Sequence, residues 1–588
     1  MKLISKIPPI LLLIVIFVSS CSKAWLEPEP LDFFTPENVY VDRVGFESLL
    51  VTMRKNLKTE NTGARYHMVT EFAASDLGVP DIQLDFHKVT PNTDQYYTFL
   101  SLFITAYSSI KDANVLISRI DDIEWENDQD RNFLLAEAYW HRAYWYYRLV
   151  NSYGDVPFIG SELTAPKLDF STHSRWTILN KIQSDLEFAV QYLPASAVPG
   201  AITKGAGDHL LTKVYLANME YDKAIASATA VINGPYQLMT ERFGVDAGNS
   251  YRDLMWDLHR PENFNAPENK ETILAIVDRY EAPTAAKSVG LYTMRMYNPG
   301  WFNIKDSRGG AGMVASGPMY DTLGRGNAQV RLNPFFQYDL WTNKALNQTW
   351  DNTPDLRRSN SNWIDWKLDE VKYNNPSSVD FGKPINIDYF ASKLDTFYYI
   401  YAIPYHITFV PEDQPGKPSV YGGNGDWYVF RLAETYLLRA EAQFWKGNLA
   451  EAAADINKVR QRANASPITA ADVTIDYIFD ERARELFAET PRHSELVRVS
   501  YIMAKSNLNG YTLNNFSEKN YFYDRVMAKN LFYQQDFEFL GNKPSIAPFH
   551  VLFPIPSSVI LANTLGVINQ NIGYDGSEDN QPPLETIE

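Results

Sequence analysis

Cysteine is almost absent: the 588-residue chain has one, at position 21. The rest of the chain therefore has no internal disulfide, no thiolate metal site and no thiol nucleophile. Beyond residue 21 there is no second apolar run long enough to cross a bilayer. Basic charge is also scarce, with 54 Lys and Arg against 71 Asp and Glu and a formal net charge of −17. So acidic a chain lacks the basic footprint of a nucleic-acid binder and is poorly suited to electrostatic attachment to anionic lipid. Catalytic signatures are missing too. There is no HExxH around the nine His, no G-x-S-x-G, no Walker A loop and no G-x-G-x-x-G. What is present is core material: 45% hydrophobic residues, enough for a large domain, and 14% aromatics, including 36 Tyr and 13 Trp.

The N-terminus reads as an address. Lys2 and Lys6 precede an apolar run from Ile10 to Val18, and Ser19 and Ser20 lead to Cys21. A basic start, a short apolar stretch and small residues before a cut mark a secretory signal. Val18-Ser19-Ser20-Cys21 resembles the bacterial lipobox, whose cysteine becomes the lipidated first residue. The alternative is an ordinary signal with a chance cysteine. The position of the sole cysteine favours lipidation, and several acyl chains on one residue give lasting attachment. Residues 1–20 are expected to be a signal peptide and 21–588 a single domain.

Helical periodicity dominates four stretches. Arg131 to Ser152 carries a broad apolar stripe and stops in YGDVP, where Asp155 reads as a turn residue. Ser174 to Leu193 closes at Pro194. Asp208 to Asn233 breaks near Tyr221, and Ala433 to Ala463 breaks at Gly447-Asn448. The last two share an Ala-rich helix–turn–helix shape, the tetratricopeptide-type hairpin in degenerate form. The predicted fold is mainly α. A helix-hairpin scaffold occupies about 40–235 and 426–505, a loop-rich part about 236–425, and a C-terminal tie 506–588. In the tie, FPIPSSV reads as an extended segment stiffened by Pro554 and Pro556.

Four blocks resemble the SusD/RagB family of outer-membrane nutrient-binding lipoproteins: LLAEAYWHRAYWYYRLVNSYGDVPFI (Leu134 to Ile159), WYVFRLAETYLLRAEAQFWKGNLAEAAADINKVRQRA (Trp427 to Ala463), IFDERARELFAETPRHSELVRVS (Ile478 to Ser500) and LFPIPSSVILANTLGVINQNIGY (Leu552 to Tyr574). Cys21 sits where that family has its lipidated cysteine. The resemblance implies four tetratricopeptide-like hairpins with a variable loop-rich part. It also implies capture of oligosaccharide, or in some branches peptide, for a partner TonB-dependent, SusC-like transporter in the outer membrane. The exterior orientation rests on the family. No cofactor is expected. In the ERARELF block, Arg482, Arg484 and Arg492 are expected to pair with Glu434, Glu441, Glu485 or Glu489 and lock hairpins together, rather than to serve catalysis.

A sugar needs a ring under its C–H face and polar groups at its edge, so loop aromatics are the ligand candidates. Trp301 follows Pro-Gly and is expected to project from a turn, and Trp350, Trp363 and Trp366 stand among Asn and Asp. Tyr96 follows a polar run, and Arg65, Tyr66 and Asp76 lie near another loop. For each, ordinary packing competes with ligand contact. Asp351, Asp355, Asp365 and Asp369 lack EF-hand spacing. Calcium on these loops stays open, but no metal site is expected. Peptide capture by the same fold and a protein–protein scaffold are the competing readings; an enzyme comes last.

Overall fold

The computed structural model describes residues 35–63, 67–80, 86, 89–92, 98–368, 371–389, 399–410, 421–534 and 545–587. Residues 1–20, expected to be a signal peptide, and Cys21 lie outside the described residues.

The scaffold is a set of helices, most of them packed on the next in sequence. Its members are α1 (Arg43–Asn56), α2 (His67–Ala73), α3 (Thr98–Arg119), α4 (Asp128–Tyr153), α5 (Arg175–Tyr192), α6 (Lys204–Ala217), α7 (Tyr221–Ile232), α8 (Leu432–Trp445), α9 (Leu449–Arg462), α10 (Ile475–Glu485), α11 (Arg492–Lys505) and α12 (Tyr521–Lys529). Contacts run α3 to α4, α4 to α5, and so on to α9, with α7 packing on α8 across the long insertion. The fold is mainly α and tetratricopeptide-like. Asn127 caps α4 by accepting from the Asp130 N–H, and Gly154 at φ 70° ends it. From Leu134 to Tyr153 every residue of α4 but Tyr139 is buried. A helix buried all round is the centre of its layer. In the two Ala-rich hairpins, Ala224 and Ala228 of α7, Ala433 and Ala440 of α8 and Ala452 of α9 are fully buried. Their small side chains let these helices approach closely.

Strands are few and short among the described residues. β1 (Gly78–Pro80) pairs with β5 (Val330–Leu332), β2 (Val156–Pro157) with β3 (Thr172–His173), and β4 (Thr272–Ile276) with β6 (Trp427–Arg431), all antiparallel. Between β4 and β6 the chain runs through short helices and 3-10 turns, and the β4–β6 pair joins both ends of this part to the scaffold.

Buried ion pairs fix that junction. Arg431 at the end of β6 reaches Glu271 (2.7 Å), Glu485 (2.5 Å) and Glu489 (2.5 Å). Arg462 of α9 reaches Glu271 and Glu485, and Arg357 reaches Asp355, Glu481 and Glu485. The ERARELF block thus locks the architecture, partly with other partners than the sequence suggests. Arg482 does pair with Glu434 (2.9 Å), but Arg484 takes Glu481 and Arg492 takes Asp76.

Burial would raise the Glu485 carboxyl, but Arg462, Arg431 and Arg357 outweigh it and hold it at about 2. Burial likewise opposes ionisation of Glu60, which Arg148 and His67 hold at about 2. Burial pushes His493 down to about 4. All three bind fewer protons folded than unfolded, so their contribution is complete at high pH and disappears on acidification. For His493 the loss runs from its ordinary value of 6.5 to about 4. For the two glutamates it runs from 4.5 to about 2. The expected result is a melting temperature that falls stepwise through these two windows. A melting temperature flat from pH 6.5 to 3 contradicts the assignment.

The C-terminal segment is pinned by its amides. Gln570 accepts from the Ile555 N–H (2.8 Å) and donates to the Ile555 carbonyl (2.7 Å). Asn571 donates to the carbonyls of Tyr153 and Phe553. Asp155, the expected turn residue, accepts the backbone N–H of Arg175 at the start of α5.

Candidate functional site

Three of the sequence candidates are structural. Trp301 is 1% exposed, and its indole N–H donates to the Gly324 carbonyl at 2.8 Å. The Pro-Gly turn leads straight into a 3-10 turn, Trp301–Asn303, that directs the ring inward. Trp363 is 2% exposed and donates to the Arg357 carbonyl, with the Arg358 guanidinium 4.3 Å from its ring. Its polar neighbour Asn362 serves the turn, binding Asp253, and leaves the indole to the core. Asp76 has no exposure and is clamped by Arg492 and Arg525. Trp350 is half-buried, edge-on to Tyr338 at 5.2 Å. Trp366 is half-buried on a cleft of about 620 Å³ that Tyr373, Lys383 and Tyr389 also line. Arg65, Tyr66 and Tyr96 lie outside the described residues. Replacing Trp301 by Ala is thus expected to cost about 3–5 kcal/mol of stability, the range for a buried aromatic. Urea unfolding measures this, and weakened ligand binding with unchanged stability is the opposing result.

A different set of side chains converges on the loop-rich part. Tyr292 and Tyr421 stack almost parallel, centroids 5.7 Å apart at 11°. The Arg295 guanidinium lies 4.8 Å from the Tyr421 ring. Exposed Arg325 is 3.5 Å from the Tyr421 hydroxyl and 5.9 Å from the Phe302 ring. Tyr320 packs edge-on over Trp301 at 6.3 Å. Burial raises the Tyr320 hydroxyl, and nearby Arg325 counters this. Tyr292, Arg295, Phe302, Tyr320 and Tyr421 are all half-buried, each leaving part of its surface to solvent.

The backbone holds this face in place. The Arg295 N–H donates to the Tyr421 carbonyl (3.0 Å), the Leu291 N–H to Gly423 (2.9 Å) and the Asn327 N–H to Arg295 (2.9 Å). Where the two loops cross, Gly290 (φ 106°) and Gly422 (φ 105°) are in contact. A Cβ on Gly422 would lie 2.8 Å from the Thr293 nitrogen. Tyr292 itself sits at φ 55°, ψ 18°. A bulky residue in the left-handed region costs about 1 kcal/mol or more, and such strain concentrates at binding sites. Gly63 donates to the Gly290 carbonyl at 2.8 Å, so the α1–α2 connection borders this face.

Arranged in this way, stacked phenol rings offer flat apolar surface, and the guanidinium groups offer donors at their edge. That combination suits a ligand with apolar faces and rim hydroxyls. The sequence carried one faint signal of it: both stacked tyrosines stand beside loop glycines, in Gly290-Leu291-Tyr292 and Tyr421-Gly422-Gly423. Among the described residues, no group of three or more His, Cys, Asp or Glu is arranged to hold a metal ion.

Comparison with known proteins gives the kinship. The family model described as SusD family matches residues 304–574, and one described as starch-binding associating with outer membrane matches residues 27–216. SusD-like protein P2 of Formosa agariphila is 27% identical over 229 residues, covering 37% of this chain and 45% of that protein. Starch-binding protein SusD of Bacteroides thetaiotaomicron is 38% identical over 161 residues, 27% of this chain and 24% of that protein. The chain thus spans less than half the length of these two relatives. Surface glycan-binding protein A from Bacteroides thetaiotaomicron superposes with a TM-score of 0.61 at 18% identity, over 91% of this chain and 100% of that one; at that identity the likeness speaks for the fold. With a SusD family model and a second, SusD-like model on separate parts of the sequence, and the helix-hairpin fold of solved SusD-like proteins, the chain belongs to the SusD family.

Proposed function

We propose that this protein is a cell-surface lipoprotein, anchored through Cys21. It captures oligosaccharide or polysaccharide on the Tyr292–Tyr421 face and delivers it to a SusC-like, TonB-dependent outer-membrane transporter. The observation that carries the reading is the strained, parallel tyrosine pair with Arg295 and Arg325 at its rim. A sugar ring stacks its C–H face on a phenol ring and hydrogen-bonds its hydroxyls to guanidinium groups. The names of the relatives, starch-binding and surface glycan-binding, point the same way. The role is binding, without turnover.

The test is a binding screen of the chain lacking residues 1–21 against soluble polysaccharides and, in parallel, a peptide mixture. Saturable binding of at least one glycan is expected, with none of the peptides. Binding of peptide alone overturns the reading in favour of peptide capture, which would use backbone pairing and side-chain pockets in place of flat rings.

A further inference from the structure

A second cleft, of about 630 Å³, lies between the start of α5, the end of α11 and the C-terminal segment. Its wall contains a buried arginine that departs from the pairing seen elsewhere in the helical scaffold. The buried arginines of the scaffold, among them Arg142, Arg148, Arg431, Arg482 and Arg498, each pair with a carboxylate. Arg175 lines this cleft, is 1% exposed, and has no carboxylate partner among the described residues. Its Nη2 donates to the Asn151 side chain at 2.5 Å, while Nη1 meets no acceptor among the described residues. The guanidinium stacks 4.0 Å from the Tyr501 ring and 4.8 Å from the Trp176 ring. Exposed Lys505 adds a second positive charge 3.6 Å from the Trp176 ring. Burial pushes Arg175 down to about 10, and Tyr501 and Asp155 offset only part of the fall.

Two carboxylates also line the cleft, and both are already engaged at the start of α5. Asp155 accepts the Arg175 backbone N–H (2.8 Å), and Glu585 accepts the hydroxyls of Ser174 (2.8 Å) and Thr177 (3.4 Å). There the helix dipole compensates them. Neither cation forms an ion pair with them among the described residues, and Asp155 acts on Arg175, and Glu585 on Lys505, only at longer range. A buried cationic donor left unmet is costly, and a ligand oxyanion is the partner that relieves it.

We propose that this cleft is a separate binding site for an acidic sugar, with the carboxylate of a uronic acid on Arg175 Nη1 and Lys505 and the sugar ring against Trp176. The carboxylate half of the ligand follows from the unpaired cations. Only the sugar half rests on the carbohydrate reading of the protein.

The test is calorimetric titration of the chain lacking residues 1–21 with glucuronate, glucose and acetate, repeated on three variants. Glucuronate is expected to bind about tenfold or more tightly than either glucose or acetate, since it alone offers charge and ring together. Arg175→Gln and Lys505→Gln are each expected to abolish that advantage, and Tyr292→Ala to leave it intact. Lys505 is exposed, so its variant keeps the test valid should Arg175→Gln fail to fold. Glucuronate binding no tighter than glucose or acetate, or binding unaffected by Lys505→Gln, overturns the proposal. Loss of polysaccharide binding in Tyr292→Ala with glucuronate binding retained shows the two sites to be independent.

Discussion

Replacing Arg431 by Met is expected to destabilise the protein by about 3–5 kcal/mol. Arg431 is 1% exposed and touches three carboxylates, Glu271, Glu485 and Glu489, which lie just before β4, at the end of α10 and in the turn after it. Methionine fills much of the volume but leaves three buried acids with one cation fewer. Arg462 still reaches Glu271 and Glu485, so Glu489 bears most of the loss, with His259 at 3.2 Å its other partner. The cost of breaking such a cluster is the desolvated charge left behind, more than any net strength of the pairs. Urea unfolding followed by circular dichroism reads the change directly. A loss under about 1 kcal/mol, the size of an exposed pair, would show that water reaches the cluster. The double variant Arg431→Met, Glu489→Gln should recover part of the stability, because Arg462 keeps Glu271 and Glu485 paired.

The second large effect concerns ligand capture. The double variant Tyr292→Ala, Tyr421→Ala is expected to lower affinity for the captured glycan by about ten- to a hundredfold, the scale of losing a central aromatic anchor. Its melting temperature is expected to stay close to that of the parent, because both rings are half-buried and one of them sits on strained backbone. Alanine at 292 still occupies the left-handed region, so the loop keeps its conformation while losing the stacking surface. Trp350 and Trp366 serve as controls, since they belong to a different part of the surface. Affinity that drops in a Trp366→Ala variant and not in the tyrosine double variant would move the binding face to the cleft beside Tyr389.

The scaffold was legible in the sequence because local rules dictate it. The period of apolar residues in 131–152, the stops at Gly154 and Gly447, and the alanines of the hairpins each act within one or two turns. Helices α4 and α6 start earlier than the sequence reading (α6 at Lys204, where Asp208 was expected), while α5 lies within its expected bounds. α4 begins at Asp128, where the Asn127 side chain and the acidic first turn set its start. The buried charges were legible as structural but not by partner. Asp76 finds Arg492 and Arg525, more than 400 residues away, and no spacing rule spans that distance.

The candidate face was the least legible. A tryptophan in a polar loop looks available for stacking, yet Trp301 and Trp363 each satisfy the indole N–H with a backbone carbonyl and turn inward. Large apolar rings are driven into whatever core a long insertion can make. The rings left at the surface are tyrosines brought together from segments about 130 residues apart, by a glycine crossing that sequence periodicity does not report.

The most direct test of the account is hydrogen–deuterium exchange on the chain lacking residues 1–21, with and without saturating amounts of the glycan selected in the screen. The account predicts slowed exchange in residues 290–297, 320–328 and 421–424, with the helical scaffold unchanged. Protection confined to other segments, with these three exchanging as in the free protein, would contradict it.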